Sequence, residues 1–541
     1  MATTRPTHFD AVIIGAGFAG IYMLHKLRNE LGLSVRAFDK AGGVGGTWYW
    51  NRYPGAAADV DSFIYRYSFD REMLQEFNWK TRYEPQHSIL AYLEKIVDKY
   101  DLRRDIQLHT TIESLAFDEG QNLWTARTDS GEEFTARYVV SALGPLSTRN
   151  LPDFEGRDTF AGPLVHTGAW PEGLDVTGKR VGVIGTGSTG TQLICAAAPI
   201  VEHLTVFQRS AQYVVPSGDG PLSDEQLAHI RENYDKIWED AFNTRLACGF
   251  QESETPAMSV SEAERERIFE EGWQAGNGFH FMFGLFVDLI FDPAANAAAT
   301  SFIRSKIKQI VRDPETARKL TPTDLYAKRP ACNTGYYETF NRDNVTLVST
   351  KETPIARITP TGVVTADGTE HELDVLVFAT GYEAMDGSYN RMDIRGRAGV
   401  TLKEHWRDTP SSYLGIAVNG FPNLFMVFGP NSAFSNLPPG LETQIEWIAE
   451  MIQAAEERGI SRIEATAGAE QEWTTTCHEM AIQSLFAQTD SWIFATNIPG
   501  KKQRTMFFFG GIATYRQTLR DIAAADYTGF TLETQPSLTS A

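Results

Sequence analysis

The stretch "DAVIIGAGFAG", Asp10 to Gly20, runs an apolar tetrad straight into three spaced glycines, Gly15, Gly17 and Gly20. The apolar part reads as a buried β-strand. The part after the glycines reads as a helix continuing to about Glu30. In such a strand–turn–helix the first glycine makes the turn and the second lets backbone approach a pyrophosphate. The third lets the helix pack closely, so that its N-terminal amides meet the phosphate charge. Glycine-rich turns are common, but the next strand, "LSVRAFDK", closes on Asp39, where a dinucleotide site needs an acceptor for ribose hydroxyls.

The pattern occurs again. "KRVGVIGTGSTG", Lys179 to Gly190, carries Gly185, Gly187 and Gly190, with Ser188 and Thr189 between them, and leads to the strand "HLTVFQRS". Asp39 lies 24 positions after Gly15, and Arg209 lies 24 positions after Gly185. An acid at that place suits the adenosine ribose of FAD. An arginine suits the 2′-phosphate of NADPH, or is a plain surface charge. A second glycine cluster, "GGVGGTWYW" from Gly42, with Gly46, Thr47 and Trp48, supports the flavin at the first site. "ELDVLVFATGY" (Glu372 to Tyr382) and "NLFMVFGPNS" (Asn423 to Ser432) read as buried strands ending in turns that return the chain to the flavin.

The expected fold class is α/β, with two Rossmann-like dinucleotide-binding domains, one for FAD and one for NADP, and a helical insertion. The FAD domain takes residues 1–140 and resumes over 387–541. The NADP domain takes 151–222 and 333–380, interrupted by a helical subdomain at 223–332. There Ser261, with Glu264 beyond it, marks a helix start. The tail after about Tyr527 is expected to fray at its end.

Composition narrows the function. The chain of 541 residues has a net charge of −20, against the basic face that a nucleic-acid partner needs. Cys195, Cys248, Cys332 and Cys477 form no C-x-x-C pair, which argues against a zinc site, a disulfide framework and a dithiol redox centre. No stretch is apolar and long enough to span a bilayer, and no signal peptide precedes Ala11. A soluble, cytoplasmic, monomeric enzyme without a metal is expected.

Just before the second glycine motif stands "FAGPLVHTGAWP", of the form F-x-G-x-x-x-H-x-x-x-W-P, with Phe160, Gly162, His166, Trp170 and Pro171. This resembles the fingerprint of the type I Baeyer–Villiger monooxygenases. "GGTWYWNRYPG", "YAKRP", "GYYETFNRDNV", "LDVLVFATGY" and "SNLPPGLETQIEWI" extend the likeness over nearly the whole chain, toward cyclohexanone monooxygenases in particular. The resemblance implies that NADPH reduces FAD and that O₂ then forms a C4a-peroxyflavin. This attacks a ketone, giving a lactone or ester through a Criegee adduct. The alternative is an N- or S-oxygenating flavin monooxygenase.

By the same resemblance Arg329 in "YAKRP" is the catalytic arginine, held by Asp59, and Lys328 is a partner of the NADP 2′-phosphate. A guanidinium is a permanent charge that stabilises an anionic oxygen without offering a proton. The resemblance implies that His166 is a residue of a domain linker; metal partners at ligand spacing are missing, and a satisfied structural histidine is expected. Trp492, in a segment resembling a mobile loop, is expected near the cofactor. Phe279, Phe434, Leu437 and Phe507 are expected around the ketone. Cys248 stands where these enzymes are expected to carry a bulky Phe, Pro145 replaces an apolar leucine, and Ser432 and Ala433 replace a Gly-Pro pair; these changes suggest a roomier pocket.

Overall fold

The computed structural model describes residues 7–77, 79–498 and 500–534. Among these, two sheets organise the chain, the first mixed with a parallel centre and the second wholly parallel. In the first, His8–Ile14 lies parallel to Val35–Phe38 on one side and to Glu133–Ser141 on the other. Its Ala11, Val12 and Ile13 are fully buried, as expected of a central strand covered on both faces. Leu424–Met426 returns from far along the chain to pair in parallel with Glu133–Ser141. The second sheet is five-stranded and runs Val345–Ser349, His203–Gln208, Arg180–Ile184, Val375–Phe378, Leu164–His166. All its pairings are parallel. The fold is α/β with two Rossmann-like units.

Both glycine motifs make the same turn. Gly15 and Gly185 take φ of +111° and +112°, which only glycine adopts without strain. Helices Phe18–Leu24 and Ser188–Ala197 follow. A Cβ at Gly20 would sit 1.8 Å from the Gly15 carbonyl oxygen, and one at Gly190 would sit 2.3 Å from that of Gly185. The third glycine of each motif is therefore fixed by helix-to-strand packing.

Between the strands of the second sheet come helices Asp224–Glu232, Tyr234–Phe242, Glu262–Ala275, Pro293–Ile310 and Pro314–Leu320. Their starts are written in the sequence. Ser261 Oγ accepts from the Glu264 amide, while Asp292 and Asp313 cap helices that open on proline. Phe281 and Phe286 close the interior of this part against Phe269.

Leu164–His166 forms an edge strand, in which buried Val165 and His166 continue the second sheet. The tail past Tyr527 pairs Phe530–Thr534 antiparallel with Ile460–Ala465. The expected fraying falls on residues 535–541, outside the described residues. Among the described residues no helix is long and apolar enough to cross a membrane.

Candidate active site

The first dinucleotide loop closes against the second glycine cluster. A Cβ on Gly17 would lie 3.3 Å from the Cα of Gly46, and one on Gly46 only 2.9 Å from that of Gly17. Gly46 has φ of +54° and begins the short helix Thr47–Trp50, with Thr47 exposed and Trp48 buried. Asp39 follows its strand and accepts from the Ala16 amide at 2.7 Å and the Ala41 amide at 2.8 Å. Burial pushes its carboxyl above the ordinary value, against the pull of those two amides.

The second loop is open where the first is closed. A Cβ on Gly187 would meet nothing within 4 Å. Arg209 is exposed just past its strand. Thr189 lies in reach of the Tyr53 hydroxyl, and Ser188 begins the helix. Lys328 Nζ pairs with Asp324, so a phosphate at that place competes with a carboxylate.

Arg329 bridges the two units. Its Nη2 donates to Asp59 at 2.8 Å, and its Nη1 donates to the Ser188 hydroxyl at 2.9 Å. Its guanidinium carbon lies over the ring of Phe279, 5.2 Å from the ring centre. Burial alone would lower the Arg329 pKa, but the charge and hydrogen bond of Asp59 outweigh it and hold the value above the ordinary one. The cation is thus permanent, mostly buried and oriented by one partner from each side.

His166 is spoken for at both ring nitrogens. Nδ1 accepts from the Gly168 amide at 3.0 Å, which leaves Nε2 to donate to the Gly381 carbonyl at 3.1 Å. Burial pulls its pKa down to about 4. Its ring meets the edge of Tyr382 at 5.4 Å, and the Tyr382 hydroxyl donates to Asn51 beside the first glycine cluster at 2.8 Å. Gly162 is required because a Cβ would meet the Asp374 carbonyl at 2.3 Å. Phe160 packs on the second sheet, Trp170 is buried and donates weakly to Leu174, and Pro171 is exposed. Sequence reasoning quoted Tyr382 in "ATGY" but drew no role from it; an aromatic directly after the glycine turn was the available signal.

An aromatic belt runs from Arg329 outward. Phe279 stacks near Phe283 at 6.3 Å, Phe283 near Phe434 at 6.4 Å, and Phe434 against Phe507 at 5.4 Å. Trp492 meets Phe507 at 5.8 Å, and half-buried Leu437 opens the helix Leu437–Arg458. The segment after Trp492 is tied down by Lys501, whose Nζ reaches Glu383 at 2.7 Å and Asp386 at 2.8 Å. Cys248 is buried, with the charges of Asp59 and Arg329 acting on its thiol. Ser432 is fully buried and bonded to Gly429 and Gln444.

Residues 9–237 match the family model of pyridine nucleotide-disulphide oxidoreductases. The chain is 60% identical over 537 residues to phenazine N-monooxygenase from Lysobacter antibioticus, covering 99% of each chain. It is 54% identical over 520 residues to a Baeyer–Villiger monooxygenase of Pseudooceanicola batsensis, covering 96% of this chain and 95% of that one. The crystal structure of cyclohexanone monooxygenase from Rhodococcus sp. bound to NADP⁺ superposes with a TM-score of 0.97 at 57% identity, covering 98% of this chain and 100% of that one. The chain belongs to the type I Baeyer–Villiger monooxygenase family.

As a Baeyer–Villiger monooxygenase it is a flavoprotein that uses FAD and NADPH, and the two loops fit those groups differently. The Asp39 carboxylate, beside the Gly17–Gly46 contact, offers acceptors to a ribose. The space over Gly187 and the exposed cation of Arg209 suit a phosphate-bearing nucleotide. Arg329 stands where the two sites meet.

Proposed function

We propose that the enzyme inserts one oxygen atom of O₂ beside the carbonyl of a cyclic ketone, with Arg329 as the catalytic cation and Asp59 as its holder. Bound FAD, reduced by NADPH, supplies the oxygen activation that no side chain here offers. Arg329 stabilises negative charge on oxygen during the transfer, and its permanently charged state keeps a proton from being delivered there. Asp59 balances and orients the buried cation. Phe279, Phe434, Leu437 and Phe507 exclude water and hold the ketone, with Trp492 at their edge. Gly15, Gly17, Gly20 and Asp39 hold the flavin nucleotide, and Gly185, Gly187, Gly190, Arg209 and Lys328 hold NADPH. The two nucleotide units are proposed to span 1–140 with 387–541, and 151–222 with 333–380. A cytoplasmic place is in keeping with four unbridged cysteines.

The observation that carries this is the half-buried Arg329 guanidinium with Asp59 on one edge and Ser188 on the other. Arg329→Ala, purified with its flavin, tests it. The expected variant consumes NADPH and releases hydrogen peroxide, with no lactone from cyclohexanone or from fused cyclic ketones. Lactone formation at the wild-type rate would remove Arg329 from the reaction.

A second reading has its own support. The relative at 60% identity is a phenazine N-monooxygenase, and Cys248 is a small side chain at the Arg329 site. Transfer of oxygen to the nitrogen of a fused aromatic heterocycle uses the same two cofactors. Parallel incubations with a fused cyclic ketone and with phenazine, read by mass spectrometry, separate the two.

A further inference from the structure

Asp61 lies two residues beyond Asp59 in "ADVDS" and is buried, yet it takes no part in the Arg329 pair. Its own partners occupy both carboxylate oxygens. Arg82 Nε donates to Oδ1 at 2.8 Å, and Asn277 Nδ2 donates to Oδ2 at 3.1 Å. Arg82 is itself fixed, since its Nη1 donates to the Ala275 carbonyl at 2.8 Å. Its backbone amide donates to the Gly220 carbonyl at 2.9 Å, and its carbonyl accepts from the Ser62 amide at 2.7 Å.

Asn277 is 2% exposed and has φ of +78°, a left-handed conformation that asparagine tolerates better than most residues. Its amide is shared between the carbonyls of Pro216 and Ser217, each at 3.1 Å. Its Oδ1 accepts from the His280 amide at 3.0 Å and so starts the turn that carries the next residues. Two positions on, Phe279 presents its ring to the Arg329 cation, whose central carbon lies over it, 5.2 Å from the ring centre.

The contacts close a ring: Asp59 to Arg329, Arg329 to Phe279, back along the chain to Asn277, then to Asp61 and through residue 60 to Asp59. The two edge partners of Arg329, Asp59 and Ser188, fix where the guanidinium points. The Phe279 ring beneath the cation adds a third contact that limits how far it can shift from that position. A carboxylate with both oxygens taken by directed donors has one orientation, and it passes that orientation to the Asn277 turn.

We propose that Asp61, acting through Asn277, is a positioning residue that holds the Phe279 ring on the Arg329 guanidinium and thereby sets the arginine for oxygen transfer. The proposal rests on the assignment of Arg329 to that step.

The test uses the flavin-loaded enzyme and the variants Asp61→Asn, Asn277→Gly, Phe279→Leu and Arg329→Ala. Glycine at position 277 accepts the positive φ while removing both side-chain bonds, so it decides the matter if Asp61→Asn does not hold its flavin. Product, hydrogen peroxide and NADPH consumption are measured together with a cyclic ketone as acceptor. Asp61→Asn and Asn277→Gly are each expected to lose about 10- to 100-fold in product formation, as a misplacement near 1 Å does. NADPH oxidation should stay within about twofold, the difference appearing as peroxide. The double variant should be no worse than the worse single one, and Asp61→Asn should add nothing on the Phe279→Leu background.

A wild-type ratio of product to peroxide in both folded variants would overturn the proposal. So would product and NADPH oxidation falling in step. If Arg329→Ala is inactive while the Asp61 and Asn277 variants are normal, only the positioning role fails. If Arg329→Ala still makes product, the site assignment and the positioning role fail together.

Discussion

Replacing Gly190 by alanine separates the two nucleotide sites. The new Cβ would stand 2.3 Å from the Gly185 carbonyl oxygen and 3.0 Å from its carbon. Real Cβ atoms essentially never approach closer than 3.0 Å, so helix Ser188–Ala197 must retreat by about 0.7 Å from the turn. That helix presents its N-terminal amides to the second site. A charge-assisted hydrogen bond is worth about 1.5–3 kcal/mol, so loss of one weakens NADPH binding by about 10- to 150-fold. The same retreat carries away the Ser188 hydroxyl, which holds Nη1 of Arg329 at 2.9 Å. NADPH that still binds should therefore be used less efficiently, with more hydrogen peroxide per product. The matching change in the first motif, Gly20→Ala, faces a contact of only 1.8 Å and should instead cost the protein its flavin. The assay is an NADPH titration of the oxidised protein, with flavin content read from absorbance. NADPH affinity within about twofold of wild type at full flavin content would refute the reasoning, as would flavin loss from Gly190→Ala.

Arg209→Ala removes an exposed cation with no ion pair among the described residues. KM for NADPH should rise about 10-fold or more while KM for NADH stays the same, by steady-state kinetics with both nucleotides. His166, with its pKa pulled down to about 4 by burial, stays neutral in the fold while the unfolded chain takes up a proton below about 6.5. The unfolded state binds more protons in that window, so stability falls with falling pH, by about 1.4 kcal/mol per unit between those values. Denaturant midpoints from pH 7 to 5 should fall less steeply in His166→Gln than in wild type. The pH profile of turnover between 6 and 8 should show no ionisation that His166→Gln removes. Cys248→Phe fills space beside Arg329 and should depress turnover of fused cyclic ketones more than that of cyclohexanone, measured in competition; equal losses would remove Cys248 from the pocket wall.

The nucleotide folds were legible because their demands are local. Gly15 and Gly185 need a φ near +110°, and Gly20 and Gly190 need the absence of a Cβ. Both needs show in one short stretch of sequence. The pairing of Arg329 with Asp59 joins positions 270 residues apart, and nothing in the spacing of either residue points to the other. Only the likeness of "YAKRP" and "RYPGAAADVDS" to a known family joined them before the structure did. Asp61 and Asn277, 216 residues apart, carried no such label and were missed. The strand Leu164–His166 is too short for alternation to reveal, and its histidine drew attention away from buried Val165 beside it.

The position of Arg329 has a consequence for how the two cofactors are used in order. Asp59 comes from the segment that follows the first glycine cluster, and Ser188 from the helix of the second motif. The guanidinium is therefore aligned only when both nucleotide units stand in register. His166 and Tyr382 tie that register at a second place, from the edge strand of one sheet to Asn51 beside the other site. A neutral, doubly bonded histidine does this without carrying charge, its one N–H spent on the Gly381 carbonyl. Fixation by a neutral ring at His166 and permanent charge at Arg329 therefore keep both the register and the cation independent of proton uptake near neutral pH.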